Sequence, residues 1–484
     1  MNYKMISRII SFLLCIEAIF MIPATCIALY DNDFTSLVAF LRTIVIILVF
    51  ALIFWLLSRN ANTRFYSREG LVTTGISWIV MSMLGCLPFY ISRQIPSYID
   101  CLFEIVSGFT TTGSSILTNV EELSRSLLYW RSFTHWVGGM GVLVFLMAVV
   151  PLSGKNDGFT LHILRAESPG PSVGKLVPRM KKTASILYLI YIGLSILNLA
   201  FLLIGKMPLF DAICTTFGTA GTGGFGIKAD SMAGYSPYLQ NVTTVFMLLF
   251  GVNFSCYYLL LIGHIKDVFK DEELRYYIGI VLGSIILIAI NIRSLYPTLE
   301  ETIRTSAFQV ATIISTTGFA TTDFDLWPSF SKAILLFLML LGACAGSTGG
   351  GFKVSRLVLL LKSLRRNIHE NLHPNEIRKI RMNGANVDEK IIKTLNGYLM
   401  AYVLIIIISF IIISLDGFDV ETNLSAIFAT FNNIGPGLKA CGPSLSFANF
   451  SPLSKLVMIG DMLAGRLEIF PILVLFSKST WKRK

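Results

Sequence analysis

SGFTTTGSS at 107–115, GTAGTGGFG at 218–226, ISTTGFATTDF at 314–324 and FNNIGPGLK at 431–439 are four short polar, glycine-centred stretches, each set between apolar runs. Lipid tolerates irregular backbone only where it lines a cavity or lies buried in protein, because each unpaired amide or carbonyl there costs several kcal/mol. Four such stretches in one chain predict a single aqueous site built from four loops.

Composition agrees with that reading. Of 484 residues, 54% are hydrophobic and 14% charged, far too apolar for a soluble domain. Windows of about 20 apolar residues predict ten spans, at 9–30, 37–58, 71–92, 128–152, 184–205, 238–263, 276–296, 329–361, 395–415 and 453–477. The first has no small-residue cleavage site after it and is read as a retained helix rather than a signal peptide. Eight cysteines without paired short spacing suggest neither a metal cluster nor a disulfide framework. Roughly 28 of the 40 Lys and Arg fall in alternate connections, including 155–182 and 353–393. That bias marks the cytoplasmic side and puts both termini inside. The net charge of +11 is then a topology signal, and nucleic acid is not an expected partner.

With this orientation all four glycine-centred stretches lie on the outer side, between an outgoing and an incoming helix. The predicted fold is an all-α polytopic membrane protein with four helix, pore-loop, helix pseudo-repeats around one pore, preceded by two extra helices. Residues 1–69 hold the extra pair. The repeats run over 70–182 (loop 107–115), 183–274 (loop 218–226), 275–393 (loop 314–324, broken helix at 342–351) and 394–484 (loop 431–439). Asp100 and Asp211 sit at equal distances before Gly113 and Gly224. The residues leading into each loop suit short half-helices, whose C-terminal carbonyl ends favour a cation.

A dehydrated monovalent cation needs several oxygen ligands, and rings of backbone carbonyls supply them without the grip of a carboxylate cage. Glycine permits the positive φ that such a turn requires. No carboxylate precedes the glycine in any stretch, which argues against a divalent-selective ring, while Asp323 and Asp325 could draw cations to the outer mouth. Small-residue helix packing would explain one such stretch. It does not explain four with one topology.

These stretches, with HWVGGMGVLVF at 135–145, GACAGSTGGGFKVSR at 342–356 and AGRLEIFPILVLF at 464–476, resemble the Trk/Ktr/HKT superfamily of potassium transporters along essentially the whole chain. The resemblance implies potassium uptake across the plasma (inner) membrane of a bacterium, a homodimer, and a cytoplasmic nucleotide-binding regulatory subunit of the TrkA type. It implies potassium, as the transported ion, held by backbone carbonyls of Thr111, Thr112 and Gly113; Thr222, Gly223 and Gly224; Thr316, Thr317 and Gly318; and Asn433, Ile434 and Gly435. Some relatives carry serine at the first glycine and are linked with sodium permeation, so Gly113 favours potassium. Pro436 after the fourth glycine leaves the ligand register least defined there.

A straight helix over 329–361 would cover roughly 50 Å against a hydrocarbon thickness of about 30 Å. Gly342, Gly346, Ser347, Thr348, Gly349, Gly350 and Gly351 mark a break, glycine costing about 1 kcal/mol each in a helix relative to alanine. Arg466 falls at a similar predicted depth, where an arginine requires water or a partner. These residues are read as a gate: a movable intramembrane loop, with Arg466 as a positive barrier or an anchor for its carbonyls. A packing kink, and a structural pairing of Arg466 with Glu468 or Asp461, are the alternatives.

His135 and His264 are read as hydrogen-bonded contacts before proton shuttles, and Glu104 as a backbone cap before a source of pore field. GTGGFG lacks the preceding strand and following lysine of a nucleotide loop. The basic segment 353–393 is either a hairpin facing lipid headgroups or the place where a regulator pulls on the gate. No converging acid, base and nucleophile set points to an enzyme or to an organic cofactor. A proton- or sodium-coupled symporter with alternating access remains the competing function.

Overall fold

The computed structural model describes residues 1–59, 61, 66–141, 180–376 and 378–482. At the N-terminus α1 (Tyr3–Phe20) runs into α2 (Ile22–Tyr30), and α3 (Phe34–Leu57) returns alongside α1. Pro23 sits in the first turn of α2, where its missing N–H removes no helical bond.

Four units follow. The first is α4 (Ser67–Gly85) with a short extension α5 (Leu87–Ile91), half-helix α6 (Tyr98–Phe109) and α7 (Arg125–Gly139). In the second, α8 (Met180–Ile204) leads to half-helix α9 (Leu209–Gly221), then α10 (Pro237–Phe250) and α11 (Phe254–Leu261). The third has α12 (Glu272–Ile292), half-helix α13 (Leu299–Ile314), α14 (Ser329–Leu340) and, after an irregular segment, α15 (Val354–Leu372). A two-residue hairpin, β1 (Arg381–Met382) with β2 (Ala385–Asn386), departs from the otherwise all-α pattern. The fourth unit comprises α16 (Glu389–Ile413), half-helix α17 (Val420–Phe431), α18 (Pro452–Arg466) and α19 (Phe470–Phe476).

Among the described residues, six helices are long and apolar enough to cross a membrane, Tyr3–Tyr30, Phe34–Leu57, Ser67–Ile91, Ser185–Ile204, Glu272–Leu295 and Glu389–Asp416. They coincide with six of the predicted spans. The predicted single spans 238–263 and 453–477 need correction. The former is broken, α10 and α11 meeting at 90° across residues 251–253. The latter breaks where Glu468 and Ile469 take φ of 62° and 65° ahead of Pro471. The predicted break after α14 is present, and the predicted span 128–152 extends beyond α7 into residues outside those described. A glycine lies at each stop: Gly139, Gly251, Gly342 and Gly465. The longest of these second helices has 15 residues, about 22 Å of rise, short of a full crossing.

The units close into a ring. The second helix of each packs on the half-helix of the next: α7 on α9, α10 on α13, α14 on α17, and α18 back on α6. Polar or cation contacts mark each junction at the half-helix N-termini. Lys455 reaches Asp100 at 2.7 Å, Lys332 reaches Glu421 at 3.7 Å, Arg304 donates to Gln240, and the Arg125 guanidinium lies 4.7 Å from the Phe210 ring centre.

Candidate functional site: a four-loop ring and the segment beneath it

Each half-helix ends in the same way. A backbone N–H one residue past the turn reaches a carbonyl five residues back: Thr112 to Ser107 at 2.8 Å, Gly223 to Gly218 at 2.9 Å, Thr317 to Thr312 at 2.8 Å and Ile434 to Ala429 at 2.8 Å. This is the Schellman termination, with a left-handed residue inside the turn. That residue is Thr111 (φ 55°), Thr222 (53°), Thr316 (58°) and Asn433 (55°). Two residues on, Gly113 (83°), Gly224 (71°), Gly318 (90°) and Gly435 (106°) take positive φ again. The fourth loop therefore keeps the pattern of the others in spite of Pro436.

Positive φ in a threonine is costly, since the branched Cβ crowds the backbone, and it persists only where surroundings over-determine it. Here short hydroxyl bonds brace the turns: Thr110 Oγ1 to Thr112 Oγ1 at 2.8 Å, Ser315 Oγ to Thr317 Oγ1 at 2.7 Å, and Thr222 Oγ1 donating to Gly221 O at 2.6 Å. The fourth loop is stitched to the first. Asn433 Nδ2 donates to Thr112 Oγ1 at 2.9 Å, and Ser114 Oγ donates to Gly435 O at 2.8 Å.

The glycines are required by their neighbours as well as by φ. A Cβ on Gly113 would overlap the carbonyl oxygen of Gly223, one on Gly224 that of Thr317, and one on Gly318 that of Ile434. On Gly435 it would lie 3.0 Å from Thr112 O. The contacts run from unit one to two, two to three, three to four and four to one. Four carbonyls, each from the residue before a glycine, thus stand in one closed ring. All twelve residues of the four turns are buried apart from Gly113 and Gly318, which are half-buried. Above them opens a vestibule of about 300 Å³ lined by Gly113, Gly224, Gly318, Gly435 and Pro436 among others. Neither Asp323 nor Asp325 lines it; Asp325 instead pairs with Lys332 at 3.6 Å.

Behind the first two loops sits a buried ion pair. Glu104 accepts from Arg131 Nε at 2.5 Å, from Ser115 Oγ at 2.9 Å and from Ile116 N at 3.0 Å. Arg131 also donates to Gly226 O at 2.9 Å and lies 3.4 Å from the Phe225 ring centre. One pair therefore holds the outer ends of two loops, which makes Glu104 a backbone cap. His135 is likewise structural: Nδ1 lies 2.8 Å from Gly108 O, and Nε2 accepts from Phe225 N at 3.3 Å, which assigns the proton to Nδ1. His264 is exposed and pairs with Asp267.

Beneath the ring lies the segment between α14 and α15. It is pinned at its root by Gly342 N to Phe352 O at 2.7 Å and turned by Gly346 (φ 69°) and Gly351 (φ 68°). Gly350 N donates to Thr316 Oγ1 at 2.7 Å, and Gly350 lies against Asn432 O and Asn433, so the segment touches the third and fourth loops directly. Ser347 Oγ turns back onto Cys344 O, while Thr348 Oγ1 donates to Phe250 O of the second unit at 3.2 Å. Arg466 donates to Thr348 O at 2.6 Å and to Gly138 O and Gly139 O of the first unit at 2.5 and 2.7 Å. Directly or through Arg466, the segment is tied to all four units. Gly349 O and Gly350 O accept from the buried Lys353 ammonium. The two acids that the sequence offers as partners for Arg466 have other contacts: Glu468 pairs with Arg356, and Asp461 accepts from Ser409 Oγ at 2.8 Å.

Two buried side chains that hold these elements, Arg131 and Glu273, are not singled out by the sequence, and Lys353 is read there only as the start of the basic segment 353–393. The first lay inside a predicted span, and the rule that exposed Arg466 applies equally to it. Glu273 stands just before the predicted span 276–296, where charge is unremarked, and Lys353 lies inside the predicted span 329–361. Among the described residues, no group of three or more His, Cys, Asp or Glu is placed to hold a metal ion. The polar atoms converging on the ring are carbonyl and hydroxyl oxygens.

Comparison with known proteins gives consistent matches. Residues 36–483 match the TrkH family, described as cation transport proteins. The chain is similar to the Trk system potassium uptake protein TrkH of Salmonella typhimurium, 34% identical over 489 residues and covering 100% of both chains. It is also similar to the Trk system potassium uptake protein TrkG of Escherichia coli, at 31% identity over 487 residues and 99% of each. The crystal structure of the potassium transporter TrkH from Vibrio parahaemolyticus superposes with a TM-score of 0.89 at 32% identity, covering 100% of both chains.

Proposed function

Because the chain belongs to the TrkH family of cation transport proteins, we propose that it takes up potassium through the four-loop ring. The observation that carries this reading is the repeated backbone: a left-handed residue and a positive-φ glycine two positions later, four times, with the carbonyl between them set against the preceding unit's glycine. Such a ring offers neutral oxygens to a dehydrated monovalent cation and no carboxylate to trap a divalent one. The ligands are the carbonyls of Thr111, Thr112 and Gly113 and of the matching triplets at 222–224, 316–318 and 433–435. The four half-helices aim their negative ends at the same place.

Residues 346–351 are the gate in this reading, held across the axis by Arg466, Lys353 and Thr316. A cytoplasmic nucleotide-binding subunit of the TrkA type acts on it from the basic face, and the protein works as a homodimer in the bacterial inner membrane with both termini inside. The test is ion flux into proteoliposomes for the intact chain and for a chain lacking residues 346–350. Potassium and rubidium should enter in preference to sodium, and the deletion should raise flux strongly. Unchanged flux on deletion would remove the gating role. A reversal potential that follows an imposed proton or sodium gradient would favour the symporter instead.

A further inference from the structure

Adjacent residues on a helix point in different directions, and the first turn of α12 uses this to hold two distant segments at once. On one side it grips the β-hairpin. Asn383 Nδ2 donates to Asp271 Oδ2 at 2.8 Å, Asn383 N donates to Glu272 Oε1 at 3.0 Å, and Glu272 N donates back to Asn383 Oδ1 at 2.8 Å. Lys362 of α15 joins the same cluster, pairing with Glu272 and donating to Arg381 O at 2.7 Å. Asn383 and Gly384, at φ of 50° and 76°, form a tight hairpin turn of the primed type, so its tip is a rigid plug rather than a loose loop.

On the other side is Glu273, only 4% exposed. Its Oε1 accepts from Ala345 N at 2.6 Å, inside the segment beneath the ring, and from Ser355 N at 3.0 Å, in the first turn of α15. Hydrogen bonds from backbone amides to a charged acceptor are about twice as strong as neutral ones. Glu273 therefore fixes both ends of the stretch that contains Gly346 to Gly351. Ile380 and Met382 of the hairpin region also share one apolar cluster with Phe352 and Leu359 on the far side of that stretch.

We infer that the first turn of α12 is a mechanical relay: displacement of the hairpin tip is passed through Asp271 and Glu272 to Glu273, and from it to the Ala345 and Ser355 ends of the intramembrane segment. A partner that moves the hairpin need never touch the membrane interior. Only a contact that differs between the two positions of the hairpin shifts the segment. This inference rests on the gate reading for its functional consequence, although the connection itself can be measured without it.

The experiment uses the full chain in lipid nanodiscs and in proteoliposomes, with Asn383→Gly, which keeps the left-handed turn inexpensive while removing the side-chain bonds, and with Glu272→Gln. Amide hydrogen exchange over 341–356 is expected to quicken by about tenfold in either variant, the change that ~1.4 kcal/mol produces. Unaltered exchange there, with both variants folded, would overturn the relay. Rubidium flux should rise in Asn383→Gly and show no further rise when the substitution is placed in the chain lacking residues 346–350. An equal increment in both backgrounds would mean that the hairpin acts elsewhere, and so would also overturn it. If the deletion alone leaves flux unchanged, the gate reading fails, and the exchange result still decides the relay.

Discussion

Replacing Glu104 by Gln should destabilise the protein and loosen the outer ends of two loops together. Both members of the pair are removed from solvent, Arg131 at 2% side-chain exposure and Glu104 at 0%. The carboxylate receives donors from Arg131, Ser115 and Ile116; an amide of the same shape has one acceptor oxygen and turns its N–H groups toward one of these donors. The arginine is then left buried without a counter-charge, its other contacts being Gly226 O and the Phe225 ring. Breaking such a pair from one side costs about 3–5 kcal/mol, more than a hundredfold in an equilibrium at ~1.4 kcal/mol per decade. The assay is equilibrium unfolding in bicelles for Glu104→Gln, Arg131→Met and the double variant Glu104→Gln with Arg131→Met, alongside rubidium and sodium flux. The double variant is expected to be more stable than the sum of the single changes by at least about 1 kcal/mol, the range of coupling between touching residues. Strict additivity, or a Glu104→Gln protein within ~0.5 kcal/mol of the parent, would refute the argument.

Gly113→Ala places a methyl group on the Gly223 carbonyl oxygen and keeps a strained φ of 83°; potassium over sodium discrimination in proteoliposome flux should fall, with a smaller effect for Gly435→Ala, whose nearest obstacle is 3.0 Å away. Arg466→Gln removes donors to Thr348, Gly138 and Gly139, and basal flux should rise toward that of the loop deletion. At the outer end of α17, Asp419 caps the helix by accepting from Thr422 Oγ1 at 2.5 Å and Thr422 N at 3.4 Å. Asp419→Ala should cost about 1 kcal/mol, read as a lower unfolding midpoint. The Thr422 hydroxyl bond holds this carboxyl below its ordinary value of 3.8. Its stabilisation is therefore complete above that value and is lost as pH falls through the lower folded value. Unfolding midpoints compared for parent and Asp419→Ala should converge on acidification below about pH 4.

Periodicity of small and apolar residues is a long-range constraint, and it made the loops and the six long helices legible. Gly113, Gly224, Gly318 and Gly435 stand out because lipid forbids irregular backbone that lacks a purpose. The stops at Gly139, Gly251 and Gly465 were harder. The apolar runs continue through them, and hydropathy reports what surrounds a chain rather than whether it bends. Only the denser cluster from Gly342 to Gly351 exceeded what a helix tolerates. Arg466 was visible as a charge at depth, but its acceptors are the backbone carbonyls of Thr348, Gly138 and Gly139, which carry no sequence signature. The same holds for Glu273, whose donors are the amides of Ala345 and Ser355. Side chains that grip backbone are the class of contact a single sequence conceals.

The stitch between the first and last loops has a consequence for synthesis. Ser114 and Gly435 are 321 residues apart, as are Thr112 and Asn433, so the earliest loop to leave the ribosome is completed by the latest. Through most of translation the first half-helix stands with its partner surface for α18 uncovered. Contacts of such separation form late, because the intervening chain must be closed first. A nascent chain that stalls before residue 431 thus holds only three of the four loops, and the ring of carbonyls closes only when the last unit docks.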